Sequence, residues 1–332
     1  MEIQPGRPYL TPADSAAQRC TDECRDETGR HNQAANQSWQ GVISSSPLPE
    51  KRTPWALDGA NMANLAVTVP SSLEAAARDF SMQHKTSLDD LVSAALNEYL
   101  HASPRRLYQI STSTALVEGV YSGSVSSSVL LGHGDFGLGT FEGLDGEMII
   151  LDGEIYQAAG IVRRRSDDFL VPFASITHFH EDAVVQIEKV ASLKDIELAC
   201  DPHRVSENLF YALRVDGVFD TLHARAVHPV PKGSRLLDAA KAQLEFHFDN
   251  VEGTLVCLWS PRYSSSFSVP GYHFHFISKD RTKGGHVLDC SAQQLRASVQ
   301  IVSEYDVQLP VAGSFLTTDL DRDPASDLAK AE

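Results

Sequence analysis

The chain has 332 residues, of which 42% are hydrophobic and 22% charged, a composition that predicts a globular protein of about two domains. Its formal net charge of −16 argues against a general affinity for nucleic-acid phosphates. No apolar run is long enough for a transmembrane helix, no secretory signal is recognisable, and five scattered cysteines form no disulfide framework. We therefore expect a protein of the reducing cytoplasm that binds no membrane.

Residues 1–60 are rich in Ser, Pro, Gln, Asn, Asp and Arg and show no apolar periodicity. This composition predicts a disordered extension. Cys20, Cys24 and His31 lie within it. A zinc site would need a fourth ligand and a folded frame, so these cysteines are interpreted as free thiols.

Residues 63–103 have a different pattern. The alternation in LAVTV predicts a short strand over 65–69, which Pro70 ends. Two helices should follow, the first capped by Ser71 or Ser72 and the second by Thr86-Ser87. A strand followed by two helices resembles the ribbon-helix-helix family, in which two strands pair across a dimer and enter the DNA major groove.

The net negative charge of this segment argues against DNA binding. Residues 63–103 carry two basic and five acidic side chains, a surface that repels phosphates. We therefore interpret the segment as a dimerisation module and expect a homodimer.

From residue 107 onward, short runs rich in Val, Ile, Phe and Tyr are broken by Gly and Asp. Runs such as EMIILDGEIYQAAGIV, TLVCLWS and HVLDC predict strands. Apolar residues at helical spacing predict helices over 192–199 and 234–245, the second with Leu244 on its apolar face. The predicted fold class is α+β, strand-rich, with few helices.

Two His-x-His pairs stand out, His178/His180 and His273/His275. In a strand, residues i and i+2 point to the same face, so each pair would place two imidazoles side by side. A solvated strand face is the alternative interpretation for either pair. After the second pair, a polar turn ending in Gly-Gly predicts a hairpin that returns His286 beside it. Three histidines would bind zinc and leave open positions for water or substrate.

The region VPGYHFHFISKDRTKGGHVLDC closely resembles the metal-binding region of the alpha-acetolactate decarboxylase family. The segments LYQISTSTALVEGVYSG, GDFGLGTFEGLDGEM, LFYALRVDGVFDTLHARAV and YDVQLP also resemble that family, in its order. The resemblance covers residues 107–332. It implies a catalytic domain with a two-lobed mixed β-sheet/barrel core, preceded by the extension 1–60 and the module 63–103.

The resemblance also implies the site residues. The zinc ligands would be His273, His275 and His286. Glu147 in LDGEM would be the metal-adjacent glutamate and Arg225 in HARAV the active-site arginine. Glu332, in LAKAE, would take the place of a C-terminal glutamate that folds back over the site.

Without the resemblance, some of these choices stay open. Glu147 and Glu154 both follow an Asp-Gly pair, so the residues alone do not separate them. Arg225 alternates with apolar positions in a predicted strand, which by itself indicates an exposed charge.

The implied reaction is zinc-dependent decarboxylation of (S)-2-acetolactate to (R)-acetoin and CO₂ through a metal-stabilised enediolate, as in acetoin and butanediol formation. Arg225 would hold the carboxylate, and Glu147 or Glu332 would handle the proton. Two alternatives stay open at this point. One is a metabolite-sensing regulator that binds DNA through residues 63–103. The other is a different His-x-His metal enzyme, such as an Fe(II) oxygenase.

Overall fold

A computed structural model describes residues 64–100, 103–231 and 233–331. The chain divides into two units, Met1–Thr68 and Val69–Glu332. The predicted extension over 1–60, with Cys20, Cys24 and His31, lies outside the described residues. None of the described helices is long and apolar enough to cross a lipid bilayer.

The described residues of the second unit form short helices and many strands. The α-helices are α1 (Ser71–His84), α2 (Leu88–Tyr99), α3 (Ser113–Val117), α4 (Ser127–Leu131), α5 (Leu193–Cys200), α6 (Leu236–Lys241) and α7 (Ala325–Ala331). The strands are β1 (Arg106–Ile110), β2 (Val125–Ser126), β3 (Phe136–Thr140), β4 (Glu147–Leu151), β5 (Glu154–Arg165), β6 (Leu170–Val171), β7 (Phe173–Thr177), β8 (Ala183–Val190), β9 (Phe210–Ala226), β10 (Leu244–Ser260), β11 (Gly271–Ser278), β12 (Lys283–Val302) and β13 (Glu304–Gln308).

Eleven of the described strands build one large mixed sheet, and β2 and β6 form a separate two-stranded sheet, which confirms the predicted strand-rich fold class. The strand order of the large sheet is β11-β10-β9-β12-β5-β4-β3-β7-β1-β13, with β8 beside β12. The pair β1–β13 is parallel, whereas the other described pairs are antiparallel. Because β11 pairs with both β10 and β12, and β9 also pairs with both, these four strands close into a ring.

The interior beside this ring is apolar and close-packed. Phe219 and Phe276 are fully buried, and their rings meet edge to face at 5.5 Å between centroids. Leu222, Val287 and Cys290 join the same cluster. Each large apolar side chain buried in this way contributes about 1.5–3 kcal/mol of transfer free energy. This core holds β11 and β12 in fixed register.

The N-terminal helices are confirmed, but the strand predicted over 65–69 is not formed. Residues 64–70 are irregular, and no described strand pairs with them. A strand needs a hydrogen-bonded neighbour to be stable, which explains the difference. Helix α1 begins after Pro70 without a side-chain cap, whereas Ser87 caps α2 by accepting the Asp90 N–H at 3.0 Å.

The helix predicted over 192–199 is confirmed as α5, where Ser192 and Asp195 form a capping box. The helix predicted over 234–245 is wrong at its C-terminal end, because α6 ends at Lys241 and Leu244 begins β10. Strand β10 pairs with β9 along nearly its whole length, starting from Leu244 opposite Ala226. That continuous ladder satisfies the backbone groups of Leu244 and outweighs its local helical pattern.

Candidate metal centre and active-site cavity

The predicted hairpin brings the three histidines together. His273 and His275 lie two residues apart on β11, and His275 pairs directly with His286 on β12. The Nε2 atom of His273 lies 3.1 Å from Nε2 of His275 and 3.1 Å from Nδ1 of His286. One nitrogen from each ring falls within a 4.8 Å cluster, so the three nitrogens converge on one point.

The hydrogen bonding of His275 indicates that this point suits a cation. Its Nδ1 donates to the main-chain oxygen of Met148 at 2.9 Å. A neutral imidazole has one N–H, so Nε2 of His275 is left with a lone pair aimed into the cluster. A ligand histidine whose second nitrogen donates to a carbonyl is the usual arrangement around a protein-bound metal. The donor set therefore fits a zinc ion.

The surroundings keep the rings of His273 and His275 neutral. Removal from water lowers the pKa of His273 to about 3, and the positive charge of Arg225 acts in the same direction. Burial also lowers the pKa of His275 well below its ordinary value. Neutral imidazole is the form that binds metal, so these histidines are ready to coordinate at neutral pH.

Glu147 lies at the start of β4, beside the histidines. Its Oε2 is 3.6 Å from Nε2 of His275, and its Oε1 accepts the Val227 N–H at 3.2 Å. Glu154 instead pairs at the surface with Arg164, whose Nη2 lies 2.6 Å from Oε1 of Glu154. The structure thus separates two glutamates that the residues alone could not distinguish.

Arg225 is buried, with 8% of its surface exposed, so the interpretation of it as an exposed strand charge is wrong. Its Nη1 donates to Oε1 of Gln243 at 2.9 Å, and its Nη2 donates to the main-chain oxygen of Ala331 in α7. Its Nε has no hydrogen-bond partner among the described residues. A buried guanidinium with a spare donor can accept a further anionic partner.

His273, His286, Glu147 and Arg225 line a small cavity of about 50 Å³. Its polar lining consists of Thr140, Glu147, Arg225, His273 and His286, and its apolar wall of Leu116, Leu144, Phe173, Val227, Leu236, Ala240 and Ala331. A few convergent polar groups in an apolar wall are typical of a small-molecule site. A larger cavity of about 510 Å³ beside Phe210 and Tyr305 contains no histidine, carboxylate or basic side chain, so we place the chemistry in the smaller one.

The other predicted pair, His178 and His180, does not form a comparable group. Both residues follow the end of β7 and lie outside a strand. His180 is exposed, and its Nε2 lies 3.8 Å from Asp182. Neither belongs to a three-ligand group among the described residues. Glu332, the remaining candidate, lies outside the described residues.

Several groups at the site have no counterpart in the sequence analysis. They are the side chain of Gln243 and the main-chain oxygens of Met148 and Ala331. Main-chain oxygens carry no residue-type signal, because every residue has one. Gln243 lies in the segment predicted as helix, where its proximity to Arg225 could not be inferred.

Comparisons with known proteins point to one family. A family model for alpha-acetolactate decarboxylase matches residues 107–322. The chain is 44% identical to an alpha-acetolactate decarboxylase of Methanosarcina mazei over 229 residues, covering 68% of this chain and 80% of that protein. It is 37% identical to an alpha-acetolactate decarboxylase of Bacillus subtilis over 231 residues, covering 68% and 91%.

Solved structures give the same result. A crystal structure of acetolactate decarboxylase from Bacillus subtilis subspecies spizizenii matches with a TM-score of 0.66 at 37% identity, covering 68% of this chain and 100% of that chain. A Staphylococcus aureus protein described as similar to alpha-acetolactate decarboxylase matches with a TM-score of 0.65 at 31% identity, over the same shares.

Proposed function

The chain belongs to the alpha-acetolactate decarboxylase family, and from this premise we propose that it releases CO₂ from (S)-2-acetolactate and forms (R)-acetoin with one bound zinc ion. One observation carries the proposal: three histidine nitrogens converge next to a cavity that is lined by a buried arginine and a buried glutamate. Family membership favours this reaction over the DNA-binding regulator and over an unrelated His-x-His oxygenase.

His273 and His275 would hold the zinc ion through Nε2, and His286 through Nδ1, since these are the nitrogens that converge. Bound zinc supplies positive charge that stabilises the negative charge left on the substrate oxygens when CO₂ departs. The Met148 carbonyl fixes the orientation of the His275 ring, which preorganises the ligand set.

Arg225 would bind the substrate carboxylate. Its guanidinium is buried, lines the cavity and has a spare N–H at Nε. Gln243 and the Ala331 carbonyl hold the two terminal nitrogens, so the group cannot swing away from the cavity. A carboxylate fixed in this way keeps the bond to be broken in one orientation relative to the neighbouring carbonyl.

Glu147 would handle the proton that completes acetoin. The Val227 N–H holds Oε1 of Glu147, while Oε2 points toward His275. A carboxylate fixed on one side of the cavity delivers its proton to one face of the intermediate, which accounts for a single enantiomer. Glu332 is the second candidate for this role. Comparing Glu147→Gln with Glu332→Gln would decide between them, because the proton donor should lose stereoselectivity as well as rate.

The apolar wall would exclude water from the reacting atoms. Leu116, Phe173 and Val227 line the cavity next to the polar groups. Low polarity around the reacting atoms strengthens the electrostatic interactions of Arg225 with its ligand.

The test is a direct assay of the full-length chain with racemic 2-acetolactate, following CO₂ and acetoin. We expect one acetoin per CO₂, loss of activity after chelation and dialysis, and recovery on adding zinc. Activity that survives complete metal removal would contradict the proposal. Recovery with Fe(II) and uptake of oxygen, in place of recovery with zinc, would support the oxygenase instead.

We also propose that residues 63–103 form a dimerisation module, that residues 107–332 form the catalytic domain, and that the chain is a homodimer. Helices α1 and α2 expose Phe80, Val92 and Leu96 at 44%, 42% and 39% of their surfaces. Apolar side chains repeated along two helices are typical of a surface that a partner covers. A second copy of the chain supplies a matching surface by symmetry.

Light scattering after gel filtration tests the homodimer. The full chain should have twice the monomer mass, and Val92→Asp/Leu96→Asp should shift it to the monomer. A monomeric full chain would contradict the proposal. A gel-shift assay at low salt addresses the DNA-binding alternative, and we expect no complex, because this segment is acidic.

A further inference from the structure

A second group of metal-binding side chains lies outside the cavity, on β9 and β10. His223 on β9 pairs directly with His247 on β10, and Glu245 precedes His247 by two residues. Residues i and i+2 of a strand share a face, and directly paired residues share it too. The sheet therefore places two imidazoles and one carboxylate on the same surface.

The donor atoms of this group are close together. His223 Nε2 lies 2.9 Å from Oε2 of Glu245, and the rings of His223 and His247 stack at 4.2 Å between centroids. One donor atom from each of the three residues falls within a 4.8 Å cluster. An ion pair between His223 and Glu245 would not by itself explain why the His247 ring stacks on the His223 ring.

We propose that His223, Glu245 and His247 form a second binding site, for a divalent cation of the zinc class. Two imidazole nitrogens and one carboxylate oxygen suit Zn²⁺ better than Mg²⁺ or Ca²⁺, which prefer oxygen ligands. The stacked rings must turn slightly for both nitrogens to face one ion, and the exposure of His247 leaves space for this rotation.

The surroundings of the group favour a cation. A cleft of about 180 Å³ beside His223 and His247 is also lined by Thr221, Asp249 and Asp289. It has room for the water molecules that complete the coordination of an exposed metal ion. The two additional carboxylates add negative charge beside His223 and His247, which attracts cations.

Hydrogen bonds connect the proposed second site to Arg225 in the active-site cavity. Glu245 Oε1 accepts from Nε2 of Gln243 at 3.3 Å, and Gln243 Oε1 in turn accepts from Arg225. Changes at Glu245 could therefore alter catalysis without any metal. For this reason the test measures bound metal and uses the two histidines, so it does not depend on the proposed function.

The experiment counts zinc ions on the full-length chain. Cys20 and Cys24 are replaced by Ser throughout, so that they contribute no zinc. The stripped protein is dialysed to equilibrium against a series of zinc concentrations, and bound zinc is measured by plasma mass spectrometry. We expect two zinc ions per chain at saturation, one for His223→Ala/His247→Ala and one for His275→Ala. The exposed His203→Ala should retain two.

The outcomes separate the two metal sites. Equal stoichiometry for the parent chain and His223→Ala/His247→Ala would overturn the second site. Loss of all zinc in His275→Ala would overturn it as well. Retention of both ions in His275→Ala would instead count against the metal centre of the cavity. The variant His223→Gln/His247→Gln preserves side-chain size, so loss of one ion there cannot be attributed to misfolding if its circular dichroism matches the parent.

Discussion

The imidazole of His275 donates from Nδ1 to the main-chain oxygen of Met148 across a distance of 2.9 Å. This bond joins β11, which carries two of the candidate ligands, to β4, which carries Glu147. The orientation of a ligand ring is thus set by the strand that also places the candidate proton donor. A single hydrogen bond therefore links the strand of the candidate ligands to the strand of the candidate acid–base group.

Replacing His275 should remove both metal and activity. His275→Ala deletes one ligand and leaves the Met148 carbonyl without its donor, so we expect loss of zinc and a decrease in kcat/KM of at least about 10³-fold. Metal analysis and acetoin formation measure the two effects. His180→Ala is the matched control, since His180 is an exposed member of the other His-x-His pair. Wild-type zinc content in His275→Ala would contradict the assignment.

Arg225→Lys should weaken substrate binding although the charge is kept. An ammonium group cannot donate to Gln243, Ala331 and a carboxylate in the fixed planar geometry of the guanidinium. We expect kcat/KM to fall on the order of 10²-fold, with most of the change in KM. Steady-state kinetics checks this, and Arg296→Lys on the surface should change little. A fall confined to kcat would count against a carboxylate-binding role.

Gly285→Ala should displace the backbone of β12 next to Arg225 and so disturb the active-site cavity. A Cβ atom on Gly285 would lie 2.6 Å from the main-chain oxygen of Arg225, so β12 would have to move away from β9 next to the arginine. We expect a loss of about 1–3 kcal/mol in the free energy of unfolding, together with lower activity. Urea denaturation measures the first. Gly132→Ala, whose Cβ would have its nearest neighbour at 3.1 Å, should be milder.

The buried thiols should be unreactive in the folded protein. Burial raises the pKa of Cys200 and of Cys290 to about 12, and the pKa of Cys257 also lies well above its usual value. At pH 8 the reactive thiolate is therefore scarce. We expect iodoacetamide to label none of the three before unfolding and all of them in urea, as peptide mapping would show.

The raised pKa values of the buried thiols also predict how the stability of the fold depends on pH. The folded chain keeps these protons at pH values where the unfolded chain, with an ordinary thiol pKa near 9, releases them. The unfolded state therefore binds fewer protons above pH 9, so the free energy of unfolding should fall as pH rises from 9 toward 12. Urea midpoints at pH 8 and pH 10.5 test the sign. A midpoint that increases would contradict it.

The three candidate metal ligands could be predicted from sequence because their spacing follows the sheet. The repeat of two along a strand and the Gly-Gly turn are local signals, and they were sufficient to bring His286 opposite His275. Glu245 and His247 carry the same spacing. The sequence analysis does not identify them as a pair, because it predicts a helix over 234–245. In the structure both residues lie on β10, where residues two apart point to the same face.

Burial and long-range contacts could not be predicted in this way. The pattern around Arg225 describes a strand, but not which elements cover it. Only the tertiary structure shows that α7, about 100 residues later, places the Ala331 carbonyl against its guanidinium. The end of α6 before Leu244 also depends on a long-range contact, because Leu244 pairs with β9.

The ring of β9, β10, β11 and β12 closes where β11 meets β12, at the pair His275–His286. An ion held by both residues would act as a cross-link across that closure, so part of its binding free energy would oppose opening of the ring. Zinc supply would then govern how much of the polypeptide escapes degradation in the cell, in addition to how fast each surviving molecule works.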